Sequence, residues 1–167
     1  IGGYMRLLKC AAVFLLFFTL NSELLTLNSY AFAGGKKAIK PSQKDKCPVC
    51  GMFVAKYPNW TAWIIFKNGS YVFFDGPKDM LKYYLNVTGY DPSRKSSDIL
   101  SAYVTEYYSA ESMPAEKMFF IKGSDIYGPM GDELIPVGTE NRAKEFMKDH
   151  NGKKILRFNK ITLEDLK

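Results

Sequence analysis

The stretch TAWIIFKNGSYVFFDGPKDMLKYYL, residues 61–85, decides the fold. Residues 61–66 and Tyr71-Val72-Phe73-Phe74 are mostly β-branched and aromatic, which suits a pleated, half-buried surface. Between them Lys67-Asn68-Gly69-Ser70 carries Asn-Gly, the pair favoured in a type I′ turn, so a β-hairpin is predicted. Asp75 or Gly76 can cap a following helix, Pro77 fits its first turn, and Met80, Leu81, Tyr84 and Leu85 recur at three and four residues. That helix should end before Gly89 and Pro92.

Downstream, residues 91–98 are polar and loop-like, and residues 101–109, with Tyr103, Val104, Tyr107 and Tyr108, read as a strand. The order then recurs: strands over 117–122 and 133–137, a helix over 139–151 ending at Gly152, and a last strand over 154–158. At an offset of 62, Gly76 meets Gly138, Leu81 meets Ala143, Tyr84 meets Phe146 and Leu85 meets Met147. The expected fold class is α+β, with two similar strand-strand-helix-strand lobes, residues 47–110 and 111–167, formed by internal duplication. Units of about sixty residues bury too little surface to be secure alone, so the lobes should share an interface.

Upstream of the lobes the pattern changes. Met5-Arg6-Leu7-Leu8-Lys9 is a basic start, residues 11–20 are apolar, and Ala31-Phe32-Ala33 has the small-x-small pattern of a signal-peptidase site. Residues 1–33 are expected to be a signal peptide with a few upstream residues, cleaved after Ala33, which implies export to the periplasm and no transmembrane span afterwards. An uncleaved anchor over residues 11–27 is the poorer reading, because Asn21, Ser22 and Glu23 interrupt it. Cys10 precedes the apolar run, so nothing suggests a lipid anchor. Residues 34–46, with Lys36, Lys37, Lys40, Lys44 and Lys46, lack apolar periodicity and read as a flexible tether.

The 167-residue chain is 47% hydrophobic with a formal charge of +6; losing residues 1–33 removes two positive charges and one negative, leaving +5. Most lysines alternate with acids, as in Lys78/Asp79 and Lys144/Glu145, the pattern of a solvated surface rather than a nucleic-acid stripe. The single histidine, His150, lies late in the second predicted helix, where an imidazole interacts well with helix carbonyls, so a Ser-His-Asp triad is poorly supplied. Gly128-Pro129-Met130-Gly131 lacks the Lys-Ser/Thr of a phosphate loop and reads as a tight turn presenting Met130.

The remaining chemistry lies in Cys47-Pro48-Val49-Cys50-Gly51-Met52. A Cys-x-x-Cys pair suits a thiol-disulfide oxidoreductase using Cys47/Cys50, but no apolar strand leads into it and it opens no predicted helix. Structural zinc wants four nitrogen or sulfur ligands, and two thiols with one remote histidine fall short. A structural disulfide over so short a loop is permitted by export and stabilises little. Thiolate and thioether donors favour Cu(I), and Cys50-Gly51-Met52 sets one of each two positions apart, with Cys47 able to add a second thiol.

These residues resemble the NosL family, exported accessory proteins that supply copper to nitrous oxide reductase. The resemblance runs from Cys47 to about Ile161. It rests on Cys47-Pro48-Val49-Cys50-Gly51-Met52, Tyr57-Pro58-Asn59-Trp60 with Ala62, Phe73-Phe74-Asp75-Gly76-Pro77, Gly123-Ser124 and Gly128-Pro129-Met130-Gly131, in that order. It implies two similar lobes and a Cu(I)-binding metallochaperone with no enzymatic activity. Cys50 and Met52 are its implied ligands, and its partner is a copper-accepting metalloenzyme or assembly factor. Some members add a histidine; here His150 is remote, so Met113, Met118 or Met130 is the alternative third ligand beside Cys50 and Met52, and an all-sulfur site is expected, with Cys47 either a further ligand or the thiol that protects Cys50.

Overall fold

The structure is a computed structural model that describes residues 39–167. The expected signal peptide and its cleavage site, and the start of the tether, lie outside the described residues. Within them, Ile39 packs on the core, and Lys46 forms an antiparallel bridge with Phe53, so chain order begins before Cys47. No helix among the described residues is long and apolar enough to cross a membrane.

The hairpin forms as strands β1 (Ala62–Phe66) and β2 (Tyr71–Phe74), paired Ala62 to Phe74 through Ile65 to Tyr71. Its turn differs from the expectation. The Gly69 N–H donates to the Phe66 carbonyl, the Phe66 N–H donates to the Ser70 carbonyl, and a left-handed conformation falls on Gly69 (φ 85°) but not on Asn68. This is a three-residue loop with glycine in the left-handed position, not a two-residue type I′ turn, which needs positive φ at both centres.

Helix α1 (Pro77–Leu85) follows with Gly76 as N-cap and Pro77 opening the first turn. It ends at Leu85, before Gly89 as expected, and a separate turn, α2 (Val87–Tyr90), follows through that glycine, with Val87 buried. Strand β3 (Ile99–Thr105) is shorter than expected because Glu106 turns the chain: its carboxylate accepts the N–H groups of Tyr108 and Ser109, and Ala110 is left-handed (φ 54°). Tyr107 and Tyr108 thereby leave the sheet and pack on Phe146.

A short edge strand absent from the sequence reading, β4 (Ser112–Pro114), completes a four-stranded sheet ordered β2-β1-β3-β4. Three residues ending in proline give no alternating pattern, and an edge is where a sheet tolerates proline. The first sheet therefore runs past residue 110. Every residue of β1 is buried, as befits an interior strand; Trp63 stacks on its cross-strand partner Tyr103 at 4.0 Å and donates Nε1–H to Ser112 on β4.

The second sheet contains β5 (Phe119–Gly128), β6 (Gly131–Val137) and β7 (Lys154–Arg157), ordered β6-β5-β7. Helix α3 (Glu140–Asp149) lies between β6 and β7, capped by the Thr139 hydroxyl on the Arg142 N–H. Left-handed Asn151, not Gly152, ends it. Both sheets place the first strand of the unit between the second and the last, all antiparallel. The helices begin 63 residues apart rather than 62, and at that offset buried Met80 and Tyr83 match buried Ala143 and Phe146.

The lobes share one core. Alternation along β5 sends Phe120 toward the cluster that also holds Trp63, Phe74, Met80 and Tyr83, while Ile121 faces α3 in a smaller cluster with Ile135, Val137, Ala143 and Phe146. Two buried glutamates pin the junction. Glu106, just past β3, accepts the Gly138 N–H ahead of α3, and Glu133 on β6 accepts the Lys78 N–H in the first turn of α1.

Glu133 sets two expected results. A Cβ at Gly76 would stand 2.2 Å from Glu133 Oε2, so Gly76→Ala should cost about 1–3 kcal/mol by overpacking, read by urea denaturation. Burial pushes the Glu133 carboxyl from 4.5 up to about 8, so between these pH values the folded state holds a proton the unfolded chain has released. Stability should fall as pH rises through that window, and Glu133→Gln should flatten the slope in denaturation measured at pH 5 and pH 8.

Candidate metal centre

The Lys46–Phe53 bridge closes the base of a knuckle, residues 47–52. Inside it the Cys47 N–H donates to the Met52 carbonyl (2.9 Å) and the Gly51 N–H to the Cys47 carbonyl (2.8 Å). The turn requires φ +80° at residue 51, which glycine adopts without strain. The backbone N–H groups of Cys50 and Val49 lower the Cys47 pKa and that of Met52 lowers the Cys50 pKa, the direction that favours thiolate.

Facing the knuckle are two carboxylates from the end of β2 and the start of α1. Cys50 Sγ donates to Asp75 Oδ1 at 3.2 Å, and Cys47 Sγ to Asp79 Oδ2 at 3.6 Å. One donor atom from each of Cys47, Cys50, Asp75 and Asp79 lies within 4.8 Å of all the others. Asp79 also holds Lys82 at 3.0 Å, whereas Asp75 Oδ2 is buried with no hydrogen-bond partner. A buried carboxylate oxygen in that state calls for a hydrogen-bond donor or a cation.

The thiols are therefore not surrounded by sulfur alone. Cys47 is 1% exposed and Cys50 is half-buried; both are free. Burial first, then the Asp75 carboxylate, drives the Cys47 thiol far above its ordinary range. Burial, with Asp75 and Asp79 adding, pushes Cys50 up to about 11 against the pull of the Met52 N–H. Both are thiols at neutral pH, the reverse of the depressed pKa that a nucleophilic redox cysteine needs, and the knuckle opens no helix.

Of the predicted site residues, the structure brings Cys47 and Cys50 together and keeps half-buried Met52 on the same knuckle. Met118 is buried in the shared core, and Met113 packs against that core from β4. Met130 is 51% exposed at the two-residue turn between β5 and β6. His150 is engaged elsewhere, 3.2 Å from Asp125 and packed on Phe146. Asp75 and Asp79 were missed as site residues: one was read as a cap, the other as a surface partner of Lys78. The available signal was two acids four residues apart, the first ending an aromatic strand, so that neither could reach solvent.

Fold and site together define an α+β protein of two antiparallel sheets, with a pair of thiols, one buried and one half-buried, facing a buried pair of carboxylates around the start of its first helix. A sequence model of the NosL family matches residues 38–166, and the chain belongs to that family. Among solved structures, the crystal structure of the copper chaperone NosL from Shewanella denitrificans is similar, with a TM-score of 0.65 and 22% identity over 77% of this chain and 98% of that one. The solution structure of apo-NosL from Achromobacter cycloclastes aligns with a TM-score of 0.45 and 24% identity over 63% of this chain and 87% of that one. No curated protein matches the chain.

Proposed function

We propose that this protein is a Cu(I) metallochaperone, with Cys47 and Cys50 as thiolate donors and the Met52 thioether as a third. The observation that carries the reading is the pairing of two adjacent thiols with two buried carboxylates, one bearing an unpartnered oxygen. Soft sulfur donors suit Cu(I), and the buried carboxylates supply negative charge for an entering cation. Met130 and Met113 remain the thioethers for a further ligand.

Half-buried Cys50 gives an acceptor's ligand one route of approach, so copper leaves by ligand exchange rather than by a chemical reaction. The leader-like residues 1–33 support delivery in the periplasm, and the family resemblance points to nitrous oxide reductase, or another exported copper enzyme, as acceptor. The common strand order of the two sheets supports reading the lobes as copies of one duplicated unit.

Anaerobic Cu(I) titration of residues 34–167 against a competing chelator should show one tightly held equivalent, with sulfur dominating its X-ray absorption shell. No uptake, or a shell of oxygen and nitrogen alone, sinks the assignment. The rival thiol-disulfide oxidoreductase is disfavoured by raised thiol pKa values, so insulin reduction should stay at the uncatalysed rate.

A further inference from the structure

Ligand exchange at Cys50 requires the acceptor to touch the surface around the knuckle, so the chemistry of that surface describes the acceptor. This inference rests on the copper-transfer reading. Phe53, next to Met52, is 40% exposed although it belongs to the bridge that anchors the knuckle. Lys46 Nζ stands 4.9 Å from the centre of its ring and Lys56 Nζ 5.7 Å, both side chains exposed. Cation–π contact holds the two ammonium groups beside the ring and leaves their remaining N–H donors free.

Residues 39–58 carry four lysines and one acid, Asp45, and Asp45 is half-buried with its carboxylate accepting the Ser42 N–H. The acids of the site, Asp75 and Asp79, are buried. The rim thus presents an apolar ring flanked by uncompensated cations, while the negative charge lies within. We propose that the Phe53, Lys46 and Lys56 face is the docking surface for the copper acceptor, and that the acceptor is a protein whose copper ligands are bordered by carboxylates. Opposite charge speeds encounter and sets orientation, and the Phe53 ring supplies the apolar contact at the centre.

Two fluorescent peptides sharing one Met-x-Met copper-binding centre, flanked by glutamates or by lysines, test this. At low salt the glutamate peptide should bind the metal-free protein about tenfold more tightly by fluorescence anisotropy, and the advantage should vanish near about 0.5 M NaCl. It should also draw Cu(I) from the loaded protein faster. The double variant Lys46→Glu/Lys56→Glu should reverse the preference, and Phe53→Ala should weaken both peptides. Equal binding of the two peptides, or a preference that survives the double charge reversal, overturns the proposal. Peptide selectivity without any Cu(I) uptake would leave the docking face standing and remove the copper reading.

Discussion

Cys50→Ser is expected to lower Cu(I) affinity at least about a hundredfold, because it removes a charged sulfur ligand. Cys50 is the thiol nearer to solvent, so its loss removes both a ligand and the entry point. Cys47→Ser should weaken binding comparably in strength but leave entry open, and Met52→Leu should cost less because a thioether carries no charge. The pH dependence separates these roles. Cys50 titrates at about 11 and Cys47 still higher, so binding releases one proton per thiol throughout the neutral range. Apparent affinity should therefore rise with pH, about a hundredfold per pH unit with two thiolates and about tenfold in either serine variant, measured by chelator competition between pH 6 and 8. An unchanged slope in Cys47→Ser would remove Cys47 from the ligand set.

Phe146→Ala is expected to destabilise the protein by about 3–5 kcal/mol and to do so through the whole molecule rather than the second lobe alone. Phe146 is fully buried among only four other core residues, Ile121, Ile135, Val137 and Ala143, and Tyr107 from the first half of the chain meets its ring edge-on at 4.9 Å. A core of this size does not sustain an independent unit. The opposite face of the same sheet is built into the main cluster through Phe120, Leu134 and Leu156, and Glu106 and Glu133 tie each lobe to the helix of the other. Denaturation followed separately by Trp63 fluorescence in a Trp60→Phe background and by far-ultraviolet dichroism should show coincident transitions, shifted together by the substitution. Separate transitions would make the lobes independent domains.

Much of this architecture was legible because it is written in short-range pattern. Tyr71 to Phe74 and the Pro77 opening of α1 are local signals, and the elements appear where those signals fall. What escaped is carried neither by apolar periodicity nor by a turn dipeptide. The end of β3 is set by Glu106 folding back on Tyr108 and Ser109, which no periodicity of the tyrosines foretells. The turn at Gly69 followed from the Phe66 to Ser70 pairing rather than from the Asn-Gly dipeptide. Asp79 next to Lys78 looks like surface charge in one dimension, yet it is 3% exposed because α1 turns that position toward the knuckle.

By itself the sequence determined the element types, their recurrence in two halves, and the concentration of sulfur chemistry in residues 47–52, since each depends on neighbours within a few positions. Only the tertiary structure decided that the two lobes hold one core, that Cys47 is closed off while Cys50 is reachable, and that carboxylates from a strand end and a helix start complete the site. Burial depends on which surfaces meet across tens of residues. The pKa values of the thiols, and with them the proton cost of taking up copper, exist only once those surfaces have met.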